Sequence, residues 1–285
     1  MAVILRAWDP DLSVLIGCAM LLAAYWSTHR GDFARAGDLS RASNLSRADN
    51  LSRAGWFVAG VAVMLFALIS PLDTLGDEYL FSAHMLQHLL LELAVPPLLL
   101  LGLTPRFARA VLDCPPLGRI ERVLGNPLTA WTLGVATLAL WHLPRLFDAA
   151  LGNEYIHIAE HLCFMVTAII FWWPVLAPLP QCRISPLWAQ VYLLGGSLAN
   201  SLLGIWLTFA PEGLYAPYLH PADSLHVAAL LRTRWGLTPG LDQQVGGLLM
   251  WVGGGFVFLA VMIVLFLQWF GMAETDGVAP AEASF

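Results

Sequence analysis

Residues 80–102 read LFSAHMLQHLLLELAVPPLLLLG, a run long and apolar enough for a membrane helix that nonetheless carries His84, His88 and Glu92. Crossing a bilayer takes about 20 mainly apolar residues. An imidazole placed in hydrocarbon is costly unless a neighbour, a metal or a proton path satisfies it. Residues 155–177 repeat the pattern, with His157 and His161 four apart near the start of another apolar stretch. Residues at that spacing share one helix face, about 6 Å apart along the axis, so each pair can offer two imidazole ligands to one centre.

The rest of the chain has the same solvent. Of its 285 residues 58% are hydrophobic and 12% charged, and the mean hydropathy is +0.69. That much apolar surface predicts an all-α integral membrane protein. Spans are expected at 12–29, 55–71, 80–102, 127–146, 155–177, 187–210 and 244–270, making residues 1–271 a seven-transmembrane-helix bundle. The first lacks a charged leader region and an A-x-A cleavage site, which favours a span over a removed signal peptide. Residues 272–285 read as a short acidic cytoplasmic tail.

All 14 basic side chains are arginines. Arg30, Arg35, Arg41, Arg47, Arg53, Arg106, Arg109, Arg119, Arg122 and Arg183 fall in loops on one side and outnumber Arg6, Arg145, Arg232 and Arg234 on the other. The positive-inside rule then puts the N-terminus outside and the C-terminus in the cytoplasm. The net charge of −6 comes with no basic face, which argues against nucleic acid. Cys18, Cys114, Cys163 and Cys182 form no C-x-x-C, arguing against disulfides and a thiolate carrier motif.

Two connections stand out. Between the first two spans LSRASN, LSRADN and LSRAGW follow one another, and a six-residue step does not return to one helical face. Residues 30–54 therefore read as a flexible cytoplasmic loop without chemistry. The outer connection, 211–242, is long enough to fold over the outer mouth as a lid.

The predicted orientation gathers the histidines into one layer. His84, His88, His157 and His161 fall in the outer turns of inward-running helices, and His142 falls near the outer end of the fourth span. The span-three stripe continues to Glu92 and the span-five stripe to Met165. Imidazole with thioether suits copper, and imidazole with carboxylate also suits zinc or iron. For His142 alone, and for Met165, packing is the plainer reading; Asp73, in Ser70-Pro71-Leu72-Asp73, can simply cap a turn. Pro96 and Pro97 should free carbonyls that could bond the Glu92 carboxyl. His157-Ile158-Ala159-Glu160-His161 also matches H-x-x-E-H, the inverted zinc-protease pattern with Glu160 as base.

Three stretches together carry a resemblance: SPLDTLGDEYLFSAHMLQHLLLELAVPPLLLLG at 70–102, WHLPRLFDAALGNEYIHIAEHLCFMVTAIIFWWPVL at 141–176, and DQQVGGLLMW at 242–251. The chain resembles the polytopic CtaG family of cytochrome c oxidase assembly factors, the multi-span kind and not the small single-span copper protein of the same name. The likeness covers spans two to seven, and the LSRA hexads depart from it. It implies maturation of haem-copper oxidase, with family-type motif positions at His84, His88, His142, His157, His161 and Asp242.

The leading expectation is an inner-membrane assembly factor, a binding and transfer protein and not an enzyme. It would hold copper through His84, His88, His157 and His161, with Met85, Met165, His142 or Asp73 as further donors. Its partners would be oxidase subunits and a periplasmic copper donor. The alternatives are an intramembrane zinc-dependent hydrolase using Glu160 and a bis-histidine haem electron carrier.

Overall fold

A computed structural model describes residues 7–35 and 41–275. Among the described residues thirteen α-helices follow in order: α1 (Leu12–Arg35), α2 (Arg41–Ile69), α3 (Pro71–Glu78), α4 (Phe81–Leu89), α5 (Val95–Gly102), α6 (Pro105–Leu112), α7 (Pro115–Leu124), α8 (Pro127–Trp141), α9 (Pro144–Gly152), α10 (Glu154–Leu176), α11 (Pro186–Phe209), α12 (Pro239–Leu248) and α13 (Gly255–Thr275). Proline opens many of them, where its missing N–H costs nothing and its fixed φ suits the first turn. Ser70, Thr104, Asn126, Asn153 and Thr238 cap helix starts with their side-chain oxygens.

Six helical stretches of the described chain are long and apolar enough to cross a membrane. The pair α7 and α8 passes the same test only when joined, and it is bent by 71° at its break. The continuous span expected over 127–146 does not form. Helix α8 ends at Trp141, His142 closes it, and Pro144 starts α9, because a proline there denies the helix its next backbone donor. The loop expected over 30–54 is also largely replaced: α1 continues to Arg35 and α2 begins at Arg41, so most of the hexads are helical. Residues 36–40, and 276–285 of the expected tail, lie outside the described residues. The helix at the end of the long connection starts at Pro239, five residues before the expected span 244–270.

Span three runs through the middle of the bundle as α4 and α5, packed against α2, α10 and α12. Between them Leu90–Ala94 forms a π turn directly ahead of Pro96 and Pro97. The carbonyl of Glu92 accepts the indole N–H of Trp172 on α10 at 3.0 Å, in place of the carboxyl bond expected from the sequence. Span seven carries a second π turn, Leu249–Gly254, between α12 and α13. There the Met250 carbonyl accepts Asn200 Nδ2 at 2.6 Å. A π turn leaves backbone carbonyls off the regular ladder, and in both spans a side chain of the adjoining helix satisfies one.

Helix α12 lies close on α4. A Cβ at Gly246 would sit 2.5 Å from the Phe81 ring, so only glycine permits this approach. The connection after α11 folds over the same end of the bundle. Its Tyr215 donates to the His142 carbonyl at 2.8 Å and its Tyr218 to the Gly76 carbonyl at 2.6 Å. Tyr215 also packs on Phe147 with ring centroids 3.9 Å apart, making a cover over the histidine end.

Candidate metal centre

Two local structures bring the ligands together. Helix α3 turns back at Tyr79 and Leu80 and lies so close on α4 that a Cβ at Gly76 would be 2.9 Å from the His84 nitrogen. That contact delivers Asp77 to His84. Opposite, the Asn153 side chain accepts the N–H groups of Tyr155 and Ile156 at 3.0 and 3.3 Å, starting α10 so that His157 and His161 occupy its first two turns. Helix α10 packs on α5 and on the π turn, and the imidazoles fill the space between its first turns and α4.

The rings converge as the spacing predicts. Centroids of His84 and His88 are 4.2 Å apart, those of His157 and His161 4.2 Å, His88 and His161 5.5 Å, His84 and His157 5.5 Å. Donor atoms of His84, His88 and His161 all lie within 4.8 Å of one another, and so do those of Asp77, His84 and His157. Ligand atoms around a tetrahedral ion with bonds of about 2.0–2.1 Å are roughly 3.4 Å apart, a difference that small side-chain rotations close. His84 is fully buried and His88 is 1% exposed. Both ring nitrogens of each lack a hydrogen-bond partner, as do Nε2 of His142, His157 and His161. Buried polar atoms are normally paired. So many unpaired lone pairs in one place fit a group that accepts them, such as a metal ion.

His142 joins this layer. Its Nδ1 donates to the Leu138 carbonyl at 2.7 Å, which leaves Nε2 as the free acceptor, and its ring lies 5.9 Å from that of His88. The other sequence candidates have different surroundings. Asp73 accepts Gln87 Nε2 at 2.6 Å. Met85 is buried in an apolar cluster with Phe81, Phe147 and Met250, and its Cγ faces Gly246. Met165 lines a cleft with His161, Cys18 and Met64. Glu160 is fully buried with both oxygens unpaired. Asp242 accepts backbone N–H groups at the start of α4.

Asp77 bridges two of the rings: Oδ1 is 3.6 Å from His84 Nδ1 and Oδ2 is 3.5 Å from His157 Nδ1. Burial pushes its carboxyl above the usual carboxylate range, against the pull of His157. Burial, then the charge of Asp77, does the same to Asp73. A cation bound at Asp77 would draw its carboxyl back down.

This chain matches the sequence model of the cytochrome c oxidase caa3 assembly factor (Caa3_CtaG) over residues 34–271, a stretch that holds every ligand candidate above. The chain belongs to that family. Within curated proteins it is similar to the uncharacterized protein ML1998 of Mycobacterium leprae and to the uncharacterized protein Mb0105 of Mycobacterium bovis. Each is 24% identical over 229 residues, covering 75% of this chain and 33% of the relative. The chain thus spans about a third of the length of these relatives. No solved structure matches it.

Membership in this family, together with six helical stretches able to cross a membrane among the described residues, makes the chain a multi-pass membrane protein. The residue that sequence reasoning missed is Asp77. It lies seven positions before His84, a spacing that would share a face of one continuous helix, but a reverse turn separates the two and brings them together from different helices. The Gly76-Asp77 step just ahead of the span was the available signal.

Proposed function

We propose that this Caa3_CtaG protein binds copper at the histidine end of its bundle and hands it to the oxidase during assembly. The observation that carries the reading is the convergence of His84, His88 and His161, buried, unpaired and with ligand atoms within 4.8 Å. Imidazole donors in a water-poor site suit copper, and neutral imidazoles need not lose a proton to bind it. The site is made by side chains of separate helices, so it can load and release its cargo by small rotations.

Orientation supports the same role. Arginines dominate the opposite end of the bundle, among them Arg53 of α2, which donates to the Leu103 carbonyl at 3.1 Å. By the positive-inside rule the histidine layer then faces the periplasmic half of a bacterial inner membrane, where a copper donor could reach it. The zinc hydrolase reading would need His157 and His161 on one ion with Glu160 beside it. Here His161 groups with His84 and His88, and His157 with Asp77 and His84, while the His157 and His161 rings stand 4.2 Å apart and Glu160 belongs to neither group.

Metal analysis of the purified protein tests the proposal. Copper, at one or more equivalents, is expected to be lost in a His84→Ala, His88→Ala variant, with affinity lower by at least about tenfold, or 1.4 kcal/mol. Zinc with hydrolytic activity, or a haem Soret band, would replace this reading.

A further inference from the structure

The two ligand groups share His84, and they differ in access. Asp77 exposes 36% of its side chain and His157 14%, whereas His84, His88 and His161 are buried. One group, Asp77, His84 and His157, therefore opens to the surface through a half-exposed carboxylate, and the other, His84, His88 and His161, reaches it only through the 7% exposure of His161 on its cleft. A neutral imidazole has one lone pair to give, so His84 serves one ion at a time. Asp77 Oδ1 and both His84 nitrogens are buried without a hydrogen bond, and Oδ1 faces His84 Nδ1 at 3.6 Å, too long for one, so the surface group is itself a set of donors turned toward one another with room between them. Its mixture of carboxylate and imidazole suits a hydrated divalent ion, which a set of buried imidazoles alone is less able to strip of water.

We propose that Asp77, His157 and His84 form an admission site through which a divalent cation reaches the buried three-histidine centre, with His84 as the ligand common to both positions. The inference rests on the preceding reading that the buried centre holds a metal. No redox step is involved. The ion exchanges its carboxylate and outer imidazole for His88 and His161 while His84 remains the shared partner.

The test is kinetic and uses the full chain in detergent with Cu(II) as probe. Association is followed by stopped flow and release by chelator chase, for wild type, Asp77→Asn and Asp77→Glu. If ions pass through the admission site in both directions, Asp77→Asn slows association and release together, each by about tenfold, and leaves the dissociation constant within about threefold. Asp77→Glu, which keeps the carboxylate, restores both rates. Slower association with unchanged release would mean that Asp77 only attracts cations. Unchanged association with weaker affinity would make it an ordinary ligand of a single centre. Either result, or rates indifferent to Asp77, overturns the proposal while leaving the three-histidine centre standing. A wild type that binds no Cu(II) overturns the copper reading itself and this inference with it. Should Asp77→Asn fail to fold, His157→Gln carries the same expectation, because it removes the other ligand that belongs to the outer group alone.

Discussion

Asp242 Oδ2 accepts the backbone N–H of Phe81 at 2.7 Å, joining the start of span seven to the first turn of α4. Its other oxygen takes the N–H and hydroxyl of Ser82 at 3.2 and 2.5 Å. A carboxylate at a helix N-terminus satisfies donors the helix leaves open and meets its positive end. Asp242→Ala is expected to cost about 1–3 kcal/mol, since it strands buried N–H groups. A thermal melt in detergent checks this, and Asp242→Asn should lose less. An unchanged melting temperature would show that the contact contributes nothing.

Glu160→Gln should keep its metal. Neither ligand group includes Glu160, so copper content is expected to match wild type and oxidase assembly to survive. Metal analysis and oxidase activity in a complemented deletion strain measure the two. Loss of copper in this variant would place the carboxylate on the ion.

Asn200→Leu removes the donor that satisfies the Met250 carbonyl in the second π turn. Polar contacts between membrane helices contribute about 0.6–2 kcal/mol, and the loss should appear as lower thermal stability. Copper affinity should not change, because Asn200 is in neither ligand group. Reduced affinity would mean that the packing of α11 sets the geometry of the histidine layer.

Gly246→Leu is expected to separate α12 from α4, because even a Cβ there would meet the Phe81 ring at 2.5 Å. The variant should fold poorly or lose copper binding, as measured by detergent melting and metal content. Normal copper binding would show that α4 keeps its place without close contact from α12.

Cys114, which precedes Pro115 at the start of α7, is exposed and lies at the arginine-rich end. A membrane-impermeant maleimide should label it in inverted vesicles and not in intact spheroplasts. A cysteine introduced at Ser224, in the connection over the histidine end, should show the reverse pattern. The opposite labelling would turn the protein over and put the histidine layer in the cytoplasmic half.

The features legible in sequence were those with a fixed period. The steps His84 to His88 and His157 to His161 predicted shared faces on neighbouring spans, and the rings do converge. Glycines 246 and 247 marked a close helix approach, and Gly246 meets Phe81. What escaped was set by chain reversal and by tertiary contact. Asp77 reaches His84 only because α3 folds back, and no periodicity encodes a fold-back. Asp242 looked like part of a motif, but its structural role lies at the start of a helix some 160 residues earlier. The polar composition of the hexads predicts a loop, yet serine, arginine and alanine tolerate a helix continuous with the apolar part of α2.

The two π turns bear on how relatives should be compared. Each amounts to one extra residue within a span, turning everything beyond it by about 100° relative to a straight helix of the same length. In a relative without the extra residue between Gln87 and Pro96, an ungapped alignment would match the histidine pair or the proline pair, but never both. Allowing a single gap at Leu90–Ala94 is then what keeps equivalent side chains in register.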